Sequence, residues 1–301
     1  MQGIRKESFN MEYLLHVIYL FCIYVMLVLS ANLTTGMANM LTMCQAAFYG
    51  IGAYIGTYFL FQYNYCFLPI ALIVMTVTGL FSLIVSYASV KLKGDYFVLA
   101  TMGFQLIVYT ILYNWTDVTN GTYGIAGIPS INLFGGIITL DGIYLNLAFV
   151  MLITGIVIFL LNRIKSSPYG RLLKAIRTDD ITVKSFGKNI AGVKIWAFSI
   201  SSAIAGLAGV LYASYVGYID PTSFPLKESI FILCALFIGG IGNIQGPIWG
   251  AAFIIFLPET LRWLGLPDSI AAEIRQIIYG LTLVLIMIYR PQGIKGQIVM
   301  K

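Results

Sequence analysis

Charge is what this sequence lacks. Only 10% of its 301 residues are Asp, Glu, Lys or Arg against 59% hydrophobic, and the mean hydropathy is +0.88. So little polar surface cannot coat a soluble globule of this length, and the chain belongs in a bilayer. Histidine is nearly missing as well: His16 opens the first apolar run, where an interfacial imidazole is expected rather than a ligand. Cys22, Cys44, Cys66 and Cys234 are scattered, with no CxxC and no neighbouring histidine, which argues against a disulfide framework or a metal site. No Gly-x-x-x-x-Gly-Lys-Ser/Thr occurs, so the chain has no phosphate-cradling loop and any ATP that drives it is hydrolysed elsewhere. No cofactor, metal or catalytic residue is expected. The net charge of +6 does not point to nucleic acid, because the basic residues flank apolar runs instead of lining a soluble face.

The apolar runs have helical length, and about 20 residues cross a hydrocarbon core. Clear spans are Leu14 to Ser30, Leu68 to Val90, Phe97 to Trp115, Ile143 to Leu161, Trp196 to Val216 and Ile274 to Tyr289. Two further stretches, Leu33 to Phe61 and Ser229 to Leu261, are too long for one crossing and are interrupted by glycine. Against this background one basic island stands out between Asn162 and Lys194. It holds Arg163, Lys165, Arg171, Lys174, Arg177, Lys184, Lys188 and Lys194, 8 of the 18 basic residues. Lys and Arg accumulate on the cytoplasmic side. The island, the N-terminus with Arg5 and Lys6, the Lys91/Lys93 turn and the tail with Arg290, Lys295 and Lys301 are therefore expected inside, and the loop from Thr116 to Gly142 outside. Each interrupted stretch must then leave and return on the outside, as a hairpin or a re-entrant pair. The expected fold is all-α and polytopic, with about ten membrane segments in two similar halves, some helices broken, and both termini cytoplasmic.

Polar side chains within the apolar stretches are few: Thr42, Gln45, Thr101, Gln105, Asn243 and Gln245. With Tyr49, they are the candidates for a substrate path. Breaks are expected at Gly239, Gly240, Gly242, Gly246 and Pro247, where freed backbone groups are tolerable only in protein or beside a wet cavity. Gly50, Gly52 and Gly56 read as a small-residue packing face. No Asp, Glu, Lys or Arg falls in the middle of a clear span, which disfavours an ion-coupled carrier, the main alternative from another class. The island is punctuated as helix. Ser167 caps, Pro168 takes the first position, and Tyr169, Leu172, Leu173 and Ile176 form an apolar stripe. Thr178 or Asp179 starts a second short helix that Gly187 ends. Such an element lies on anionic membrane lipid or docks a soluble partner.

The chain resembles the membrane permeases of branched-chain amino acid ABC transporters, the LivM type, over nearly its whole length from Asn32 to Gly293. The resemblance is carried in order by Gln45-Ala-Ala-Phe-Tyr-Gly-Ile-Gly-Ala-Tyr54, Lys93-Gly-Asp-Tyr-Phe97, Asn114-Trp-Thr116 and Ser167-Pro-Tyr-Gly-Arg171. Ala205-Gly-Leu-Ala-Gly209, Pro221-Thr-Ser-Phe224, the Gly239 to Ala252 stretch, Pro258-Glu259 and Arg290-Pro-Gln-Gly293 continue it. It implies a single permease domain over residues 1–301 in a bacterial or archaeal plasma membrane. The implied partners are a second, homologous permease, two ATP-binding cassette subunits and an extracytoplasmic substrate-binding protein. It further implies that residues 162–194 hold the coupling loop, with Arg171, Arg177, Asp179, Asp180 and Gly187 engaging the ATPase. The chain departs from the family where Leu106 replaces an acid and where Asn120-Gly-Thr-Tyr-Gly-Ile125 replaces Gly-Gly-Pro-Asn-Gly-Ile. Urea or a short amide therefore stays open as an alternative cargo.

Overall fold

The computed structural model describes residues 2–63, 67–89, 92, 94–133, 138–139, 142–263, 268–289 and 292–295. Twelve α-helices account for most of them: α1 (Gln2–Ala31), α2 (Gln45–Tyr63), α3 (Phe67–Ser89), α4 (Asp95–Asn114), α5 (Thr116–Thr119) and α6 (Ile143–Ser166), then α7 (Pro168–Thr178), α8 (Asp180–Ser185), α9 (Ile190–Val216), α10 (Leu226–Gly239), α11 (Gln245–Trp263) and α12 (Asp268–Tyr289). Two-residue strands add little. Ile125–Ala126 pairs antiparallel with Tyr218–Ile219, and Asn132–Leu133 with Ile138–Thr139. Six segments of described helix are long and apolar enough to cross a membrane, namely Glu12–Met37, Phe67–Tyr87, Asp95–Asn114, Ile143–Ser166, Ile190–Val216 and Pro221–Gly239. The shorter or glycine-interrupted α2, α11 and α12 run beside them.

Helix α1 is the axis of the bundle. A helix with no polar face must be enclosed by others, and from Val25 through Ala38 every residue is buried. Its direction follows from its bonds to α9. The Tyr19 hydroxyl donates to the Leu211 carbonyl at 2.9 Å, and the Ser201 hydroxyl to the Ser30 carbonyl at 2.7 Å, so α1 runs antiparallel to α9. Because α9 leaves the basic island at Ile190, α1 ends beside the island and begins at the opposite, far end. Both termini were expected on the island's side. The structure corrects this for the N-terminal end, whose two basic residues were a small signal beside Glu7 and Glu12.

The same geometry revises the first interrupted stretch. Residues Asn32–Met37 are not the arm of a hairpin but a π-helical turn that continues α1. The chain then returns through 38–44 and enters α2 at Gln45. The second stretch is a helical hairpin as expected, with α10 descending to the island end and α11 rising from it. The two stretches are thus built differently, and the expected likeness of two halves does not extend to them.

Glycine sets the closest approaches. A Cβ on Gly52 would sit 2.2 Å from the Gly206 carbonyl oxygen, and one on Gly209 2.1 Å from that of Tyr49, so α2 and α9 touch backbone to backbone. At the other crossing Gly239, Gly246 and Gly250 press α10 against α11, a Cβ on Gly250 meeting the Ala235 carbonyl oxygen at 1.8 Å. Gly240 adopts φ +104° to end α10. Two orphan carbonyls of α10 are taken up by the chain's last described turn: Ile294 N–H donates to Ile238 at 3.1 Å and Lys295 N–H to Gly239 at 3.0 Å. The Lys91/Lys93 turn, Arg290 and Lys301, on which part of the charge reading rested, lie outside the described residues.

Candidate functional site

Three features lie along the bundle axis: a cavity in the far half, a buried polar cluster beneath it, and a polar knot at the island end. The cavity has a volume of about 410 Å³. Aromatic rings of Tyr24, Tyr49, Tyr212, Phe231 and Tyr279 form much of its wall, with Val17, Leu20, Ile254 and Ile255 toward the far end. Edge-on ring contacts fix the wall: Tyr49 stands on Phe224 at 5.0 Å between centroids, and Phe231 on Tyr279 at 5.4 Å. Two carboxylates face this space, Glu259 on α11 nearer the far end and Glu228 on α10 at the floor. The Tyr24 hydroxyl donates to Glu228, and the Tyr13 hydroxyl to Glu259.

Glu228 was not foreseen. The sequence places it just before an apolar stretch, beside Lys227, as if at the membrane surface. In the structure Asp220–Phe224 dips back into the bundle and α10 starts inside it, level with Tyr24 near the middle of α1. The clear spans carry no acid at their middle, as read from the sequence, but Glu228, which lies outside those spans, sits deep in the bundle. The signal that could have found it is Pro221 followed by Pro225, since proline, lacking the N–H that a continuing helix needs, opens first a short turn and then α10 instead of extending the preceding helix.

The polar cluster joins the N-terminal turns of α2 and α10, which point at one another and then diverge to opposite ends. Gln45 donates from Nε2 to the Ser201 hydroxyl at 3.0 Å, and Ser201 donates onward to the Ser30 carbonyl. The Ala46 N–H donates to the Ser229 hydroxyl at 2.9 Å, and that hydroxyl donates to Oε1 of Gln105 at 3.3 Å. Gln105 Nε2 in turn donates to the Phe224 carbonyl at 3.0 Å, holding the re-entrant segment in place. Thr101 accepts from the Met43 N–H at 3.2 Å. Thr42 is fully buried, and its hydroxyl has no partner among the described residues. Gln45, Thr101 and Gln105 thus gather near mid-depth: Ser201 is about 17 Å along α9 from its start at 1.5 Å per residue. Tyr49 lies above them in the cavity wall. Leu106, where the family has an acid, is exposed on the outside of α4, away from the cavity.

Asn243 and Gln245 do not join this cluster. They lie at the island end, about 15 Å below Ser229 along α10, Gln245 being exposed. Asn243 is the centre of the knot. Its side-chain oxygen accepts from Lys165 Nζ at 2.9 Å, and its carbonyl accepts from Asn32 Nδ2 at 2.9 Å. Asn32 Oδ1 accepts from the Gly242 N–H at 3.1 Å. One turn on, the Arg177 guanidinium donates to the carbonyls of Thr35 and Gly36, capping the C-terminal end of α1, where a cation meets the negative end of the helix dipole. Gly239, Gly240, Gly242, Gly246 and Pro247 form the wall of this knot, all of them buried.

The island is helical as its punctuation implies. The Ser167 hydroxyl accepts from Gly170 N–H at 3.2 Å with Pro168 at the first position of α7, and Leu173 and Ile176 are buried beneath it. Asp179, not Thr178, caps α8 by accepting from the N–H groups of Ile181 and Thr182. The Thr182 hydroxyl, together with those backbone bonds, holds its carboxyl below the usual aspartate range. Gly187 follows α8 with φ +72°. Asp180 approaches Lys194 at 3.9 Å, and Arg171 is exposed, donating to the Ser166 carbonyl at 3.2 Å. Arg177, by contrast, faces inward. Ile181 and Phe186 stand out from α8 at 72% and 78% exposure, which a charged island has no folding reason to show.

A bundle of membrane-length helices around an aromatic-walled cavity, with a polar knot at the opposite end, fits a multi-pass membrane transport protein. Residues 13–287 match the family described as "Branched-chain amino acid transport system / permease component", and the chain belongs to it. It is 33% identical over 300 residues to the high-affinity branched-chain amino acid transport system permease protein LivM of Salmonella typhimurium, a match covering 90% of this chain and 67% of that protein. LivM of Escherichia coli is similar to the same extent, 33% over 90% of this chain and 67% of its own. A probable LivM of Methanocaldococcus jannaschii is 29% identical over 68% of this chain and 61% of its own length. No solved structure matches the chain. The protein is a transport permease component of the plasma membrane.

Proposed function

We propose that the chain is the membrane-spanning subunit of an ATP-driven importer for branched-chain or similar apolar amino acids. The cavity carries the proposal: about 410 Å³ of mainly apolar and aromatic wall suits a small solute with an aliphatic side chain. The basic island faces the cytoplasm and the cavity faces the extracytoplasmic side, so a separate binding protein delivers the solute to the far end. Nine passes then run from α1 through α12, with α5, α7 and α8 outside the count. The whole of residues 1–301 acts as one permease domain, and residues 162–194 as its coupling loop. Two ATP-binding subunits dock on α7 and α8, where Ile181 and Phe186 fill an apolar groove and Arg171, Asp179, Asp180 and Gly187 set the register. ATP hydrolysis takes place in those subunits. A second, homologous permease completes the pair in contact with membrane lipid.

Arg177 links the docking element to the axis, because moving α7 pulls on the carbonyls that end α1. Passage runs from Tyr49 past Gln45, Thr42, Thr101 and Gln105 to the knot at Asn243 and Gln245, which opens when α7 moves. The aromatic wall favours an apolar amino acid over urea. One observation favours the ion-coupled alternative, namely a carboxylate at membrane depth in Glu228. Uptake by the reconstituted complex separates the two. ATP-dependent leucine uptake that survives an ionophore is expected; uptake that persists without ATPase subunits and collapses with the ionophore would refute the importer reading.

A further inference from the structure

Glu228 is set as a receptor for a cation rather than as a structural pair. One of its oxygens accepts the Tyr24 hydroxyl, and its second oxygen takes no hydrogen bond among the described residues. Among those residues, no Lys, Arg or His nitrogen reaches it within 4.0 Å. Its chain neighbour Lys227 instead lays its ammonium 5.5 Å from the centroid of the Phe231 ring. The described residues hold no cluster of three acids, histidines or cysteines that would keep a metal ion. Around the carboxylate stand the rings of Tyr24, Tyr49, Tyr212 and Phe231, whose faces also attract an organic cation.

We propose that Glu228 is the ammonium-binding group of the cavity, and that the permease itself therefore selects apolar solutes bearing a primary amine. The inference rests on the importer reading above and sharpens it. The solute's ammonium makes charge-assisted hydrogen bonds to the open oxygen of Glu228, and its aliphatic part lies between Val17, Leu20, Ile254 and Ile255. Glu259, nearer the mouth on the same wall, meets the ammonium first. Selection thus happens a second time inside the membrane, after the binding protein's own.

The test uses the complete transporter in proteoliposomes with its binding protein, comparing wild type, E228Q and E228D in leucine uptake. E228Q removes the charge at nearly constant shape and is expected to slow uptake at least about tenfold, with E228D recovering part of it. ATPase subunits co-purifying with each variant report its assembly. Wild-type rates in an assembled E228Q would overturn the inference while leaving the importer reading intact, whereas a wild type that moves no apolar amino acid would remove that reading instead. Should E228Q fail to assemble, S223C places a thiol in the cavity wall of the otherwise intact complex, without binding protein. Leucine and leucinamide, which keep the ammonium, are expected to slow its maleimide labelling, and 4-methylpentanoate, which lacks it, is not. Equal protection by all three overturns the proposal.

Discussion

Replacing Gly52 by alanine tests whether the α2–α9 contact is as tight as drawn. The added Cβ would lie 2.2 Å from the Gly206 carbonyl oxygen and 2.4 Å from its Cα, and both neighbours are backbone that cannot rotate away. Contacts of this kind seldom fall under 3.0 Å, so the helices must part by about 1 Å. Gly56 over Val210 and Gly209 over Tyr49 would part with them. Overpacking of a well-fitted contact costs about 1–3 kcal/mol, which for a chain of this size corresponds to a fall in melting temperature of about 2–6 °C. Thermal unfolding in detergent, read by tryptophan fluorescence, gives the value. Gly103 on α4 is the internal control: a Cβ there meets nothing within 4 Å, and alanine should be neutral or gain about 0.5–1 kcal/mol of helix stability. G52A melting with the wild type, or G103A falling as far as G52A, would refute the packing argument.

Other outcomes follow from the island. Asp180→Lys places two cations where Asp180 meets Lys194, and a valine at Gly187 must adopt φ +72°; each variant is expected to stay in the membrane while ATP hydrolysis no longer drives uptake, as measured by paired ATPase and transport rates. Arg177→Gln leaves the carbonyls of Thr35 and Gly36 without their cation and should let solute leak through the knot, seen as leucine efflux in the absence of ATP. The Asp179 carboxyl titrates below its unfolded value, so its cap on α8 is fully present above about pH 3.9 and is lost as pH falls through the lowered folded value. Hydrogen exchange at Ile181 and Thr182 should rise in that window in the wild type and be high at all pH values in Asp179→Ala.

What could be read from the residues was mostly local. The cap at Ser167, the cap at Thr178 or Asp179, the proline at position 168 and the left-handed Gly187 depend on a few neighbouring atoms, so side-chain chemistry announces them, leaving only the choice of Asp179 to the structure. The Gly52–Gly56 face was equally plain, because close approach in a bilayer needs small residues at helical spacing. Harder to read was anything decided by packing at long range. Asn32–Met37 carries no mark distinguishing the last turn of one helix from the first of the next. Glu228 looks like surface charge until Gln105 and Ser229 are seen holding its segment inside. Nothing in the residues around Arg177, expected among those that engage the ATPase, marks the inward turn by which its guanidinium closes the axis helix. Asn243 and Gln245 share amide chemistry with Gln45 and Gln105, and polarity alone gave no way to tell two depths apart.

The turn that binds Ile294 and Lys295 to the end of α10 has a practical consequence. Any displacement of the Gly239–Gly246 wall drags this stretch of chain along, so in the proposed importer Ile294 and Lys295 act as a lever attached to the knot yet exposed on the island side. A fluorophore on a cysteine at Lys295 would turn opening of the barrier into a change of light in real time, with no label inside the membrane.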